Sequence, residues 1–252
     1  MPAPAANVAP NSVLFPGERL EARVDQGGID LAALHVSFGA PCRAGDDVII
    51  PAAAHAESAG VFAALSSGEL DSVSWLERAS GLPRWARVVV DTPKTRAELE
   101  VGFEPGSYSW RFRRPGKPDR ERRLPLPAGA EAHDVISALG AARALFGDGE
   151  LHVLVGRRLW HIALAHQGSE SVSVGGESHD AVRIDGTARR LMPHSFKRSR
   201  FPVSIALWLS ADSYRMPLRA RLTHRDKTVE IDLVDYRLDP PPREPPRPCA
   251  RP

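Results

Sequence analysis

Apolar residues return at every second position through most of this chain, and the pattern is cleanest between Phe201 and Tyr236. Val203, Ile205, Leu207 and Leu209 alternate with other residues, then Met216, Leu218, Ala220 and Leu222, then Val229, Ile231 and Leu233. A period of two puts one set of side chains on one face of a pleated strand, so the stretch predicts a three-stranded meander. Ser210–Ser213 and His224–Lys227 supply the turns, since short Asp and Ser side chains bond their own backbone.

The same alternation runs upstream. Leu20, Ala22 and Val24 interleave with Arg19, Glu21 and Arg23, Gln26-Gly27-Gly28 predicts a hairpin turn, and Leu34, Val36 and Phe38 share one face of the return strand 31–38. Residues 48–57 predict a strand that Pro51 confines to an edge or a bulge. Residues 59–66 read as strand, followed by strands at 69–78, 86–91, 96–103 and 107–113. Residues 114–123 read as a charged loop. Further strands are expected at 151–155, 159–166, 170–174 and 179–191. One helix is expected, over 132–146, where Val135, Ile136, Leu139 and Ala142 follow helical spacing. Asp134 stands at its start and Gly147-Asp148-Gly149 at its end. The chain is therefore mainly β, with a tail at 1–13, a β-rich domain at 14–238 and a Pro-rich tail at 239–252, both tails expected to lack structure.

Composition narrows the function classes. Of 252 residues, 42% are hydrophobic and 25% charged, which is ordinary for a globular protein. No apolar run approaches the roughly 18–20 residues that span a bilayer, so no transmembrane segment is expected. A net charge of +2 gives no field for nucleic acid. Cys42 and Cys249 either pair in an oxidising compartment, tying the C-terminal tail to Cys42, or stand as free thiols. Met1–Pro10 has no basic start and no apolar core of an export signal.

Few residues suggest chemistry. His161 and His166, five apart on a strand, face opposite ways and make a poor metal pair. Ser178-His179-Asp180 holds the residue types of a hydrolytic triad, but neighbours on a strand cannot converge. His133-Asp134 reads as a helix start before it reads as a general-base pair, and Asp212 with Arg215 as a local ion pair or a hydrogen-bonded turn. Arg111, Arg113, Arg114, Lys117, Arg120, Arg122 and Arg123, beside Trp110 and Phe112, are interrupted by Asp119 and Glu121 and read as a solvated hairpin rather than a nucleic-acid surface. No catalytic residue, metal ligand or cofactor is assigned, and ligand-binding residues stay unknown.

An ordered set of motifs adds a resemblance. Phe15-Pro16-Gly17-Glu18-Arg19-Leu20, Ser74-Trp75-Leu76-Glu77 with Gly81-Leu82-Pro83, His133-Asp134-Val135-Ile136 through Arg143, and Leu207-Trp208-Leu209-Ser210-Ala211-Asp212 with Arg215-Met216-Pro217-Leu218 occur in this sequence. Together, over about residues 14–237, they resemble the bacterial envelope proteins grouped as domain of unknown function 3108. The resemblance implies an exported β protein with a large curved antiparallel sheet or open β-barrel covered by the helix at 132–146. It implies no activity and no catalytic residues.

Three readings follow. The first is a non-enzymatic envelope protein binding a lipid or other apolar ligand on the concave sheet face. The second is a structural or protein-interaction module of the envelope, and the third a hydrolase or metal enzyme. The expected place is periplasmic or secreted, with the cytoplasm as alternative.

Overall fold

A computed structural model of the chain describes residues 13–60, 63, 67–193, 195–239 and 247–249. Alternation becomes strands almost everywhere the sequence predicts it. β1 (Glu18–Gln26) and β2 (Ile29–Phe38) form the first hairpin. Gly27 and Gly28 both take positive φ there (62° and 82°), the conformation that matches a two-residue turn to the twist of its strands. β3 (Cys42–Ala44), β4 (Asp47–Ser58), β5 (Glu69–Glu77), β6 (Pro83–Thr92), β7 (Thr95–Glu104), β8 (Ser107–Arg114) and β9 (Lys117–Pro125) follow. Pro51 lies where β4 changes partner, between its pairing with β3 up to Ile49 and with β2 from Ala52, so its missing N–H breaks no ladder on that side.

The second half begins with β10 (Ala132–His133) and helix α1 (Val135–Ala144). β11 (Gly149–Val155), β12 (Arg158–Val174), β13 (Glu177–Arg190), β14 (Val203–Ser210), β15 (Pro217–His224), β16 (Lys227–Leu238) and the short β17 (Arg247–Pro248) complete it. Pairing runs from β10 through β11, β12, β13, β14, β15 and β16 to β1, then β2, β4, β5, β6, β7, β8 and β9, with β3 and β17 on the flank of β4. Among the described residues only β10–β11 and β17–β3 are parallel. The seventeen strands make one sheet.

That sheet is open but curled. Ala86, Leu99, Val101, Trp110 and Leu124 from one end share a core with Ala132, Leu154, Leu159 and Leu191 from the other. The two edges thus meet through side chains while no ladder joins β9 to β10. Bulges at Glu21/Ala22, Trp75/Leu76 and Trp208/Leu209 bend the strands. Gly186 leaves room for a close neighbour: a Cβ there would stand 2.7 Å from Leu164 Cδ2.

Helix α1 lies on the concave side. Ile136 packs on Phe38, Ile50, Ala52 and Leu76, whereas Ala141 packs on Leu151, Ile184 and Leu209, on strands far apart in the sheet. Being surrounded, it is made of small residues, with Gly140, Ala141, Ala142 and Ala144 all buried. Asp134 caps it through a capping box with Ser137.

Several expectations need correction. The helix starts at Val135 rather than Ala132, because Ala132 and His133 are taken by β10. Residues 114–123 are mostly strand β9 rather than loop, since alternate charges find cross-strand partners on β8. Most of 59–66 lies outside the described residues, but Ala63 N donates to Ala59 O (3.1 Å), a helical bond and not a strand one. In the Pro-rich tail, Arg247–Pro248 is a strand on β3, and Cys249 is bonded to Cys42 with Cα atoms 4.9 Å apart. The remainder of that tail and residues 1–12 lie outside the described residues.

Candidate ligand-binding face

Apolar residues line the middle of the inner face. Leu207, Ala220, Ile231, Val24 and Ala32 are direct cross-strand neighbours from β14 to β2. A second row, Ala54, Ser72, Val88, Leu99 and Phe112, runs from β4 to β8 and begins opposite Val36 rather than Ala32. Apart from Leu99, all of these are half-buried, unlike Phe38, Leu76 and Leu209 beneath the helix. Leu207 and Ala54 adjoin the clusters that hold α1, and Val88, Leu99 and Phe112 pack against the other end of the sheet. Ala220, Ile231, Val24 and Ala32 lie outside these clusters and stay partly accessible.

The covered end is fixed by buried polar groups. Arg143 and Glu18 are both 0% exposed and pair in two parallel bonds of 2.7 and 2.6 Å. Arg143 Nε also donates to Arg215 O (3.1 Å), and Arg215 donates in turn to Leu145 O (2.7 Å), so one chain of guanidiniums ties helix, β1 and the β14–β15 turn. Phe15 stacks on Arg143, and burial together with the Glu18 charge pushes the Tyr236 hydroxyl up to about 12. Ser74 donates to Asp134, whose carboxyl is pushed up by burial. His133 is held down to about 4, first by burial and then by His152, and its Nδ1 is buried without a partner.

The residues singled out in the sequence are not brought together for catalysis. His133 and Asp134 are neighbours whose side chains part, Asp134 to the helix cap and Ser74. His161 is buried with its ring 5.3 Å from His152, and its Nε2 lies between Glu150 (3.1 Å) and Arg198 (3.2 Å). His166 is exposed at a bulge. Ser178, His179 and Asp180 sit at the far end of the β12–β13 hairpin, where Ser178 bonds Ser171 (2.6 Å). Asp212 and Arg215 form the hydrogen-bonded turn and not the ion pair. The Asp212 carboxylate accepts from Ser210 Oγ and from the Tyr214 and Arg215 amides, while the Arg215 guanidinium stacks on Phe146. Among the described residues no three His, Cys, Asp or Glu side chains are placed to hold a metal ion.

Two constellations went unread in the sequence. One is the outer-face row Glu21, His35, His55 and Asp71 across β1, β2, β4 and β5, with His55 raised by its 2.8 Å bond to Asp71. The other is a cavity of about 230 Å³ at the seam between the sheet edges, lined by Tyr108, Leu124, Leu159, Leu191 and Phe196 with Arg157, Arg158 and Arg190. Phe196 stands there at φ 49°, a left-handed backbone uncommon for an aromatic residue.

Comparison with known proteins yields the fold alone. No protein-family model matches the chain, and no curated protein matches it closely enough to count as a relative. The fold is shared with a β-barrel-like protein of domain of unknown function DUF1849 from Brucella abortus. That likeness covers 91% of this chain and 100% of that one at 11% identity, with a TM-score of 0.59. The hypothetical lipoprotein YmcC from Escherichia coli aligns over 91% of this chain and 93% of its own at 10% identity, but its TM-score of 0.29 supports no inference. The expected large curved sheet or open barrel with a covering helix is thus what the chain forms.

Proposed function

We propose that this is a non-enzymatic protein of the bacterial envelope that holds an apolar ligand, such as a lipid chain, on its concave face. The observation that carries the reading is the half-buried apolar row Ala220, Ile231, Val24 and Ala32 on neighbouring strands, which lies outside both clusters that α1 packs on. Burying such surface from water stabilises a complex by roughly 25 cal/mol per Å² before ordering costs are subtracted. The Cys42–Cys249 bond suits an oxidising compartment, and the ordered motifs that resemble domain of unknown function 3108 support the same place. The candidate nucleophiles and bases point apart, which favours binding over hydrolysis.

Displacement of an environment-sensitive apolar dye by monolaurin tests the reading. Wild type should bind, and Leu34→Gln with Ile231→Gln should weaken binding at least about fivefold while the far-UV spectrum is kept. Equal affinity in the folded variant would remove the concave face as the site.

A further inference from the structure

The arginines near the sheet edges are sorted by face. On the outer side Arg111 bonds Glu121 (3.1 Å), Arg113 reaches Glu98, Glu100 and Asp119, and Arg123 pairs with Glu104, while Arg114, opposite Lys117, bonds the Thr95 hydroxyl (3.0 Å). On the inner side none has an acid. Arg120 and Arg122 are cross-strand partners of Phe112 and Trp110, and so share the inner face with them. Arg157 lies over those same two rings, 4.5 Å from the centroid of Phe112 and 5.3 Å from that of Trp110. Arg158 and Arg190 line the seam cavity beside it, and the cavity lining contains no carboxylate. Among the described residues, none of these five guanidiniums has an ion-pair partner.

An unneutralised cluster of like charge is repulsive and is costly to keep unless something compensates it. A chain that pairs its arginines on one face of β9 and leaves them bare on the other has room there for an anion. We propose that this cationic seam receives the anionic head of an amphiphile, a carboxylate or a phosphate, whose apolar tail runs from the seam onto the concave face. The part concerning the tail rests on the functional reading above. The cavity's size agrees: about 230 Å³ falls below the roughly 300–1,000 Å³ of a pocket that encloses a drug-sized ligand, and suits a head group and the start of a chain. Guanidinium suits such a head because its fork bonds two oxygens at once, and Arg157, held flat on two aromatic faces, is already ordered.

The test compares three amphiphiles of one chain length, laurate, dodecyl phosphate and the uncharged monolaurin, with inorganic phosphate as a fourth probe, by calorimetry at low salt. The two anionic amphiphiles should bind at least about tenfold more tightly than monolaurin, and added salt should shrink the difference. Arg157→Gln with Arg190→Gln should bring all three to the monolaurin affinity without changing monolaurin binding. Equal binding of the three by wild type, or a preference that survives the double variant, overturns the head-group site and leaves the concave-face reading standing if monolaurin still binds. Inorganic phosphate binding as tightly as dodecyl phosphate makes the seam a free-anion site and overturns the amphiphile. If Leu34→Gln with Ile231→Gln changes no affinity while the arginine variant abolishes the preference, the tail placement fails and the head-group site holds. If no probe binds, both fail.

Discussion

Replacing Glu18 with Gln should cost this protein more than any comparably small change on its surface. Glu18 and Arg143 are both fully buried, and their two bonds are the only charge compensation the structure gives Arg143 among the described residues. Glu18→Gln keeps the shape and removes the charge, leaving a cation without water or counterion. Breaking a buried pair on one side costs about 3–5 kcal/mol. At roughly 2–4 °C per kcal/mol for a chain of this size, Tm should fall by about 10 °C. The double variant Glu18→Leu with Arg143→Met should recover most of that loss, because two apolar groups need no compensation. The remaining deficit should be about 1 kcal/mol, for the bond from Arg143 to Arg215 O that is not replaced. Guanidinium denaturation of wild type, Glu18→Gln, Glu18→Leu, Arg143→Met and the double variant measures the loss, the recovery and the coupling. A Glu18→Gln loss below about 1 kcal/mol, or a coupling near zero, would refute the view that this pair locks the helix to the first strand.

Other consequences are as direct. His133→Leu should leave stability unchanged or raise it, because the imidazole has a buried Nδ1 without a partner. The same variant should flatten the acid limb of the stability curve. His133 titrates near 4 when folded and near 6.5 when unfolded, so below pH 6.5 the unfolded chain takes up the proton first and stability falls, by at most about 1.4 kcal/mol per pH unit, towards pH 4. Asp134, raised by burial, pulls the opposite way in an overlapping range, so the comparison of wild type with His133→Leu at several pH values isolates the histidine. Cys42→Ser should lower stability by about 2–5 kcal/mol, and hydrogen exchange at Cys249 N, which donates to Arg43 O (2.9 Å), should lose its protection. Asp134→Ala should cost about 2 kcal/mol or more, since it removes the α1 cap and leaves Ser74 buried without its acceptor.

Much of this fold could be read in advance because alternation and turn residues are local. The spacing from Val203 to Leu222 could not have been mistaken for a helix: Ile205, Leu207 and Leu209 on one side and Ala220 and Leu222 on the next strand fall into register as the turns dictate. Where local signals compete, the reading failed. Ala132 and His133 carry helical spacing, but a parallel pairing with His152 and Val153, far along the chain, takes them for β10. Arg114–Arg123 carries Pro, Gly and many charges, the marks of a loop, yet Arg111–Glu121 and Arg113–Asp119 make it a strand edge. Tail residues 247–249 are held by a partner more than two hundred positions away, which no local pattern reports. The seam was not legible. Parity from the Arg114–Lys117 pair would set Asp119 and Glu121 opposite Phe112 and Trp110. The bulge at Phe112/Arg114 brings Arg120 and Arg122 there instead, and the arrival of Arg157 depends on the curl that joins the sheet's two ends.

The concave-face claim is tested most directly by a methyl NMR titration with monolaurin on protein labelled at Ile, Leu and Val methyls. The inner-face methyls of Val24, Leu34, Ile205, Leu222 and Ile231 should shift together and saturate at one affinity, while exposed Ile29 and Val234 stay still. Shifts confined to the exposed methyls, or none at all up to millimolar ligand, would contradict the account.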